Sequence, residues 1–323
     1  MAQITYREAL NQALREELER DERVFIMGEE VGYFGGAFKV TDGLLAIFGE
    51  KRVRDTPISE LTIVGAGIGS AMGGLRPVVE LMTINFGLLA MDQIVNHAAK
   101  IHYMFGGHAR VPIVIRAPQG GGHQLGAQHS QSLEAYFLHC PGLRLVIPAT
   151  PADAKGLLKT AIRQDDPVVF LEHESLYGMK GEVPEGEYLV PLGRANVMRE
   201  GKDVTIVSYS KCVYDALHAA EALENEGIDA EIIDLRTLNP LDISTVVESV
   251  KKTGKAIVVY EGWRTGGAGA EIAAQINEMA FDSLDAPVER VATLDTPMPY
   301  NKKLEHAVLP SPEQIVRAAE RLG

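Results

Sequence analysis

The sequence predicts an α/β protein of two domains, each a mostly parallel sheet with helices on both faces. Three observations predict it. Short apolar runs alternate with helical stretches through the first half and again from residue 203 onward. Between the two series lies a stretch rich in Gly, Pro and charge, YGMKGEVPEGEYLVPLGRANVMREGKD. The 323 residues are enough chain for two separate cores.

The elements follow in order. Thr5 and Glu8 have the spacing of a capping box, in which each side chain satisfies the other's free backbone N–H. Tyr6, Leu10, Ala13, Leu14 and Leu18 then share one helical face. The apolar run Val24 to Met27 ends in Gly28-Glu29-Glu30 and a glycine-rich loop. RVRDTP follows, then a small-residue segment from Glu60 to Gly74, then the strand PVVELM. Residues 88–105 read as one helix, with Leu88, Met91, Ile94, Val95, Ala98 and Ile101 on one side. VPIVIRAP leads into a second glycine-rich loop, QGGGHQLGAQHS, and a helix runs to Cys140. The strand LRLVIPA precedes a helix with Thr150 as N-cap and Pro151 at its first position, and PVVFLEH closes the half.

The expected boundaries are a first domain over 1–180, a linker over 181–202 and a second domain over 203–323. The second domain continues with DVTIVSYS, a helix to Glu226, DAEIIDLRT, a helix around Val246 to Val250, KAIVVYEG, a helix from Gly269 to Phe281, and VERVATLD. Ser311-Pro312 with Gln314 caps a last helix.

Composition narrows the function. The net charge is −13, and an acidic surface without a Lys/Arg-rich run repels phosphate backbones, so no nucleic acid is expected. Cys140 and Cys212 make neither a disulfide framework nor a metal-type pair. The charged, helical N-terminus is no secretory signal. A membrane span needs about 20 apolar residues; the nearest stretch, Leu61 to Leu75, is short and glycine-rich. A cytoplasmic protein with no membrane partner is the expectation.

In parallel sheets, ligands bind beyond the carboxyl ends of the strands. Glu29, Glu30, Glu60, Asn85, Phe86, His123, Gln128, His129, Glu172 and His173 all follow or end strands of the first half. Several familiar sites are excluded. GAGIGSAMGG does not complete a G-x-G-x-x-G fingerprint, Ser70 lacks the G-x-S-x-G elbow, and His97 and His102 have the wrong spacing for a zinc pair on one helical face. The glycines from Gly65 to Gly74 instead offer a smooth helix face that allows another backbone close approach. From the residues alone, the reading ends at a ligand on one sheet edge.

The runs MGEEV, DTPISE, GLRPVVELMTINF, MDQIVNHAAK, GAQHSQSLEAYF and PGLRLVIPATPADAKGLLKTAIR narrow it further. With EVPEGEY, REGKDVTIVSY, IDLRTLNPLD, TGKAIVVYEG and DTPMPY in order behind them, essentially the whole chain resembles one family. This family comprises the beta subunits of the decarboxylating component of 2-oxo acid dehydrogenase complexes.

The resemblance implies a pyrimidine-binding domain followed by a transketolase-type C-terminal domain. It also implies thiamine diphosphate shared with an alpha subunit in a two-alpha, two-beta heterotetramer. The substrate would be a 2-oxo acid, pyruvate first and branched-chain acids second, and the acyl group would pass to a lipoyl-bearing dihydrolipoamide acyltransferase. Glu60 matches the glutamate that bonds the aminopyrimidine ring nitrogen and promotes the imino tautomer of its amine. Glu29 matches a residue near that ring, and Phe86 the aromatic residue beside it. His129 matches an active-site histidine that handles protons or guides the acyl group. Ile113, Ala161, Ile162, Gln164 and Asp166 match positions where some relatives hold potassium, with Gln164 where those relatives carry Asp. No GDG motif occurs, which implies that the alpha subunit binds Mg²⁺ and the diphosphate. The reading from another class is a non-catalytic scaffold that docks the acyltransferase.

Overall fold

Thr5 caps the first helix as its spacing to Glu8 predicts: its Oγ1 accepts from the Glu8 N–H at 3.2 Å, and Glu8 Oε2 accepts from the Thr5 N–H at 2.7 Å. This is seen in a computed structural model that describes residues Met1 to Gly323. By their internal contacts the residues form two units, 1–119 with 136–192, and 120–135 with 193–323.

The first series of elements is β1 (Ala2–Thr5), α1 (Tyr6–Arg20), β2 (Val24–Gly28), α2 (Leu44–Phe48), β3 (Val53–Asp55), α3 (Glu60–Met72) and β4 (Arg76–Glu80). It continues with α4 (Ile101–Met104), β5 (Val114–Gln119), α5 (Glu134–Leu138), β6 (Arg144–Val146), α6 (Pro151–Arg163), β7 (Val168–His173) and β8 (Lys180–Val183). Six strands of the first unit lie in the order β6-β7-β5-β4-β2-β3. All five pairings are parallel, so their carboxyl ends share one edge. The near-continuous apolar runs of β2, β4, β5 and β7 are buried along almost their whole lengths, as a sheet covered on both faces requires.

The second series is β9 (Asn196–Arg199), β10 (Val204–Ser208), α7 (Cys212–Asn225), β11 (Ala230–Asp234), β12 (Thr237–Asn239) and α8 (Ile243–Thr253). β13 (Ala256–Trp263), α9 (Ala268–Ala280), β14 (Glu289–Thr293), α10 (Lys302–Val308) and α11 (Pro312–Arg321) complete it. The second unit's sheet runs β14-β13-β10-β11-β9, parallel except for β9. Its core joins Ile206, Ile232 and Ile257 of the strands to Ala216, Ala219 and Leu223 of α7 and Ile315 of α11. No helix is long and apolar enough to cross a membrane.

Two expectations differ from the structure. The stretch expected to be a linker carries ladders: β8 pairs antiparallel with β1, and β9 pairs antiparallel with β11. Strands this short bury little of their own surface, so they leave no apolar run to read. Residues 88–105 are not one helix. A 3₁₀ turn spans Ile84–Ala90, a wide π-type turn Gln93–Ala98, and α4 only Ile101–Met104. The interruption falls where the Gly142 backbone packs on the Ala99 carbonyl, so closely that a Cβ at 142 would collide with it.

Candidate functional site

The carboxyl edge of the first sheet brings Glu29 and Glu60 together. Glu29 directly follows β2, where Gly28 passes so close to β4 that a Cβ would sit 2.5 Å from the Glu80 carbonyl oxygen. The loop beyond is tied down by Asp55 at the end of β3, whose carboxylate accepts from the N–H groups of Gly32 at 2.6 Å and Tyr33 at 3.0 Å. The Thr56 N–H donates to the Gly28 carbonyl at 2.9 Å. These bonds fix the backbone on either side of Glu29, whose side chain is 5% exposed.

Glu60, also 5% exposed, is the first residue of α3. Its carboxylate therefore lies at the positive end of a 13-residue helix dipole. Burial pushes the Glu29 carboxyl above its ordinary range, and the nearby Glu60 charge pushes it further in the same direction. Glu29 Oε1 is buried and has no hydrogen-bond partner. Two neighbouring acids in unlike settings, one inclined to keep its proton and one at a helix N-terminus, are suited to hold and pass a proton.

Phe86 is half-buried on the 3₁₀ turn after β4, and α3 packs against that turn. The turn is pinned by the Phe86 N–H to the Thr83 carbonyl and by Asn85 Nδ2 to Thr83 Oγ1 at 3.0 Å. The turn that offers the Phe86 ring thus packs on the helix that begins with Glu60. His129 is exposed and lies on the loop 120–135, which belongs by its contacts to the second unit.

Under the carboxyl edge sits a buried ion network whose Glu80 and Arg116 the sequence reading did not name as site residues. Arg116 on β5 grips Glu172 on β7 through two parallel bonds, Nε to Oε1 and Nη2 to Oε2, the latter 2.6 Å. Its Nη1 reaches Glu80 on β4, and the Tyr177 hydroxyl donates to Glu172 at 2.6 Å. All four are almost fully buried. Burial pushes Glu80 up; Arg116 opposes this and Glu172 adds to it. Against burial, the two carboxylates keep the guanidinium ionised. The signal was present as one charge inside each of three apolar strands, PVVELM, VPIVIRAP and PVVFLEH. A charge there must find a partner.

The positions matched to potassium gather around the turn from α6 to β7. The carbonyls of Ile162 and Gln164 accept from Arg76 Nη1 at 3.1 and 2.7 Å. The Ala161 carbonyl accepts from the Gln164 N–H and that of Ile113 from the Val168 N–H. The Asp166 carboxylate accepts from Arg144 at 2.8 Å. Carbonyl oxygens are the ligands an alkali cation takes, and here two of them already face a guanidinium. No group of three or more His, Cys, Asp or Glu side chains is placed to hold a metal ion.

The glycine-rich face of α3 divides. Gly67 points inward, where a Cβ would meet Val79 Cγ1 at 2.7 Å and Ile113 Cδ1 at 2.8 Å. Gly69 has nothing within 4 Å of that position. Leu61 on the same helix and Ile58 just before it are 50% and 80% exposed.

Comparisons with known proteins agree along the chain. Residues 2–180 match the family described as transketolase, pyrimidine binding domain, and residues 193–315 match transketolase, C-terminal domain. The pyruvate dehydrogenase E1 component subunit beta of Rickettsia felis is 52% identical over 320 residues, 99% of this chain and 98% of that protein. The mitochondrial counterpart in Dictyostelium discoideum is 52% identical over 324 residues, 99% of this chain and 91% of that one. A solved structure described as a split-gene transketolase, an inactive beta4 tetramer, superposes with a TM-score of 0.80. It has 25% identity and covers 99% of this chain and 98% of the other.

Proposed function

The chain belongs to the family of pyruvate dehydrogenase E1 component beta subunits, and from that premise we propose how its residues serve the reaction. It contributes to the thiamine-diphosphate-dependent oxidative decarboxylation of pyruvate, with transfer of the acyl group to the lipoyl group of an acyltransferase. It works with an alpha subunit in a two-alpha, two-beta assembly.

The observation that carries the proposal is the Glu29–Glu60 pair. A buried carboxyl oxygen without a partner needs a donor, and an aminopyrimidine offers one in its amino group. The residues present therefore fit the cofactor's pyrimidine. Glu60 holds the ring nitrogen and favours its protonated form, while Glu29 keeps a proton within the same pocket. Phe86 supplies a flat apolar face that orients the ring by offset stacking. His129 handles protons at the reacting centre or guides the acyl group. When bound, thiamine diphosphate would supply a nucleophilic carbon for the 2-oxo carbonyl and, in its cationic thiazolium ring, a sink for the electron pair left as CO₂ departs.

This chain has no GDG motif, so the alpha subunit holds the diphosphate and its Mg²⁺. The residues that would hold potassium are Ile113, Ala161, Ile162 and Gln164 through their carbonyls, together with Asp166; Arg76 bonds the carbonyls of Ile162 and Gln164. The alpha subunit docks on the exposed apolar face that includes Ile58, Leu61 and Gly69, a surface poorly suited to water.

The test is reconstitution with an alpha subunit, thiamine diphosphate and Mg²⁺, following CO₂ release from pyruvate and from 3-methyl-2-oxobutanoate. The expected result is faster release from pyruvate and a fall of about 10²- to 10⁴-fold in Glu60→Gln, the range of a lost acid–base partner. An unchanged rate in that variant removes Glu60 from the mechanism, and a preference for the branched acid moves the substrate.

A further inference from the structure

The second glycine-rich loop looks like an anion cradle, and its occupant comes from the chain itself. The N–H groups of Gly122 and Gln124 converge on Glu305 Oε1 at 2.9 and 3.2 Å, and Gln124 Nε2 donates to Glu305 Oε2 at 2.7 Å. Glu305, on α10, is fully buried. Both loop residues have positive φ, +107° at Gly122 and +55° at Gln124. The N–H groups two residues apart thus face one point, as in backbone concavities that bind anions. The left-handed conformation is costly for a glutamine, and here the carboxylate bonds both its main-chain and side-chain nitrogens.

A second carboxylate closes the neck. Glu261 Oε1 accepts from the Gly121 N–H at 2.7 Å and from Ser132 Oγ at 3.2 Å, bridging the two ends of the loop. The Gly120 N–H adds a bond to the Gln131 carbonyl at 3.3 Å. Gly121 packs on Met298 and Leu309, and Gly126 on Tyr300. Ala127, Gln128 and His129 are exposed. The carboxylates of Glu305 and Glu261 thus anchor the base of the loop that carries these exposed residues.

We propose that Glu305 is a positioning residue for the reaction: its buried carboxylate fills the N–H cradle of Gly122 and Gln124 and so sets the stance of the loop that presents His129. Glu261 assists by fixing the neck. The proposal rests on the reading that His129 takes part in the reaction. It also assigns this cradle to an internal carboxylate and not to a phosphate.

The experiment is a double-mutant cycle in the complex reconstituted with alpha subunit, thiamine diphosphate and Mg²⁺. The variants are His129→Ala, Glu305→Ala, Glu305→Gln and the two doubles, scored as kcat and KM for acyl transfer from pyruvate to a lipoyl domain. A misplacement of about 1 Å can cost about 100-fold in rate. Glu305→Ala is therefore expected to lower kcat by up to about that factor, while KM for pyruvate shifts less than about twofold. Glu305→Gln keeps one acceptor oxygen and is expected to fall between. Each double variant is expected to be no slower than His129→Ala alone, within about threefold.

Hydrogen exchange should quicken at residues 122–130 and stay unchanged in β10 and β13. Losses that multiply in the doubles would mean that Glu305 acts independently of His129, and would overturn the proposal. So would a full rate in Glu305→Ala beside an impaired His129→Ala. A full rate in His129→Ala instead overturns the underlying reading of that histidine. If Glu305→Ala does not assemble, the near-isosteric Glu305→Gln carries the same comparison.

Discussion

The Glu29 carboxyl, buried at the end of β2, is held above its ordinary range by burial first and by the charge of Glu60 second. The folded chain therefore binds a proton at Glu29 more tightly than the unfolded chain does. This stabilisation is complete below the unfolded-state pKa of a glutamate. It is lost as pH rises through the folded-state value.

Glu29→Gln replaces the reluctant carboxylate with a neutral group of the same shape. Its thermal midpoint should exceed that of the parent at pH 8, and the difference should close as pH falls toward 4.5. A difference independent of pH would mean that Glu29 is not the titrating group.

Arg116 is the sole cation among Glu80, Glu172 and Tyr177 in the buried network. Arg116→Met leaves two carboxylates buried without their partner, and should cost about 3–5 kcal/mol in urea unfolding at pH 7. Because protonation relieves the uncompensated charge, the loss should shrink at low pH. Arg116→Lys should recover only part of it, since an ammonium cannot grip Glu172 through two parallel bonds.

Gly67 and Gly69 lie on one helix but make opposite predictions. Gly67→Ala forces a methyl into Val79 and Ile113 and should destabilise the chain by about 1–3 kcal/mol. Gly69→Phe meets nothing within the chain. It should leave the thermal midpoint of the isolated chain nearly unchanged but block assembly with an alpha subunit, read by analytical ultracentrifugation. Normal assembly in Gly69→Phe would move the interface elsewhere.

Potassium has a direct measure. An ion present at a hundred times its Kd adds about 2.7 kcal/mol to stability. The thermal midpoint in potassium chloride should then exceed that in choline chloride at equal ionic strength. Equal midpoints would leave Arg76 as the only cation at the Ile162 and Gln164 carbonyls.

The strands and helices that could be read from the sequence were those whose burial leaves a periodic trace. β2, β4, β5 and β7 are apolar runs, and α1, α6 and α11 begin at Thr5, Thr150 and Ser311, whose side chains cap them as their sequences predict. Ladders as short as β1, β8 and β9 form because a partner backbone is available, and leave no such trace. The break within 88–105 was equally invisible: it falls where Ala99 lies against Gly142, 43 positions further along the chain. Glu29, Glu60 and Phe86 could be read as candidates because they follow strands. Glu305 could not, because nothing within LEHAVLP connects it to Gly122.

The sequence by itself determined the α/β alternation, the placement of acids and an aromatic beyond the strands, and membership in the family. These follow from local periodicity, capping chemistry and motifs contiguous in the chain. Only the tertiary structure decided that Arg116 joins Glu80 to Glu172, that Gly67 faces inward while Gly69 faces out, and that Glu305 fills the cradle of the His129 loop. Each depends on groups far apart in sequence meeting in a buried setting, where an unpaired charge or N–H is too costly to leave alone.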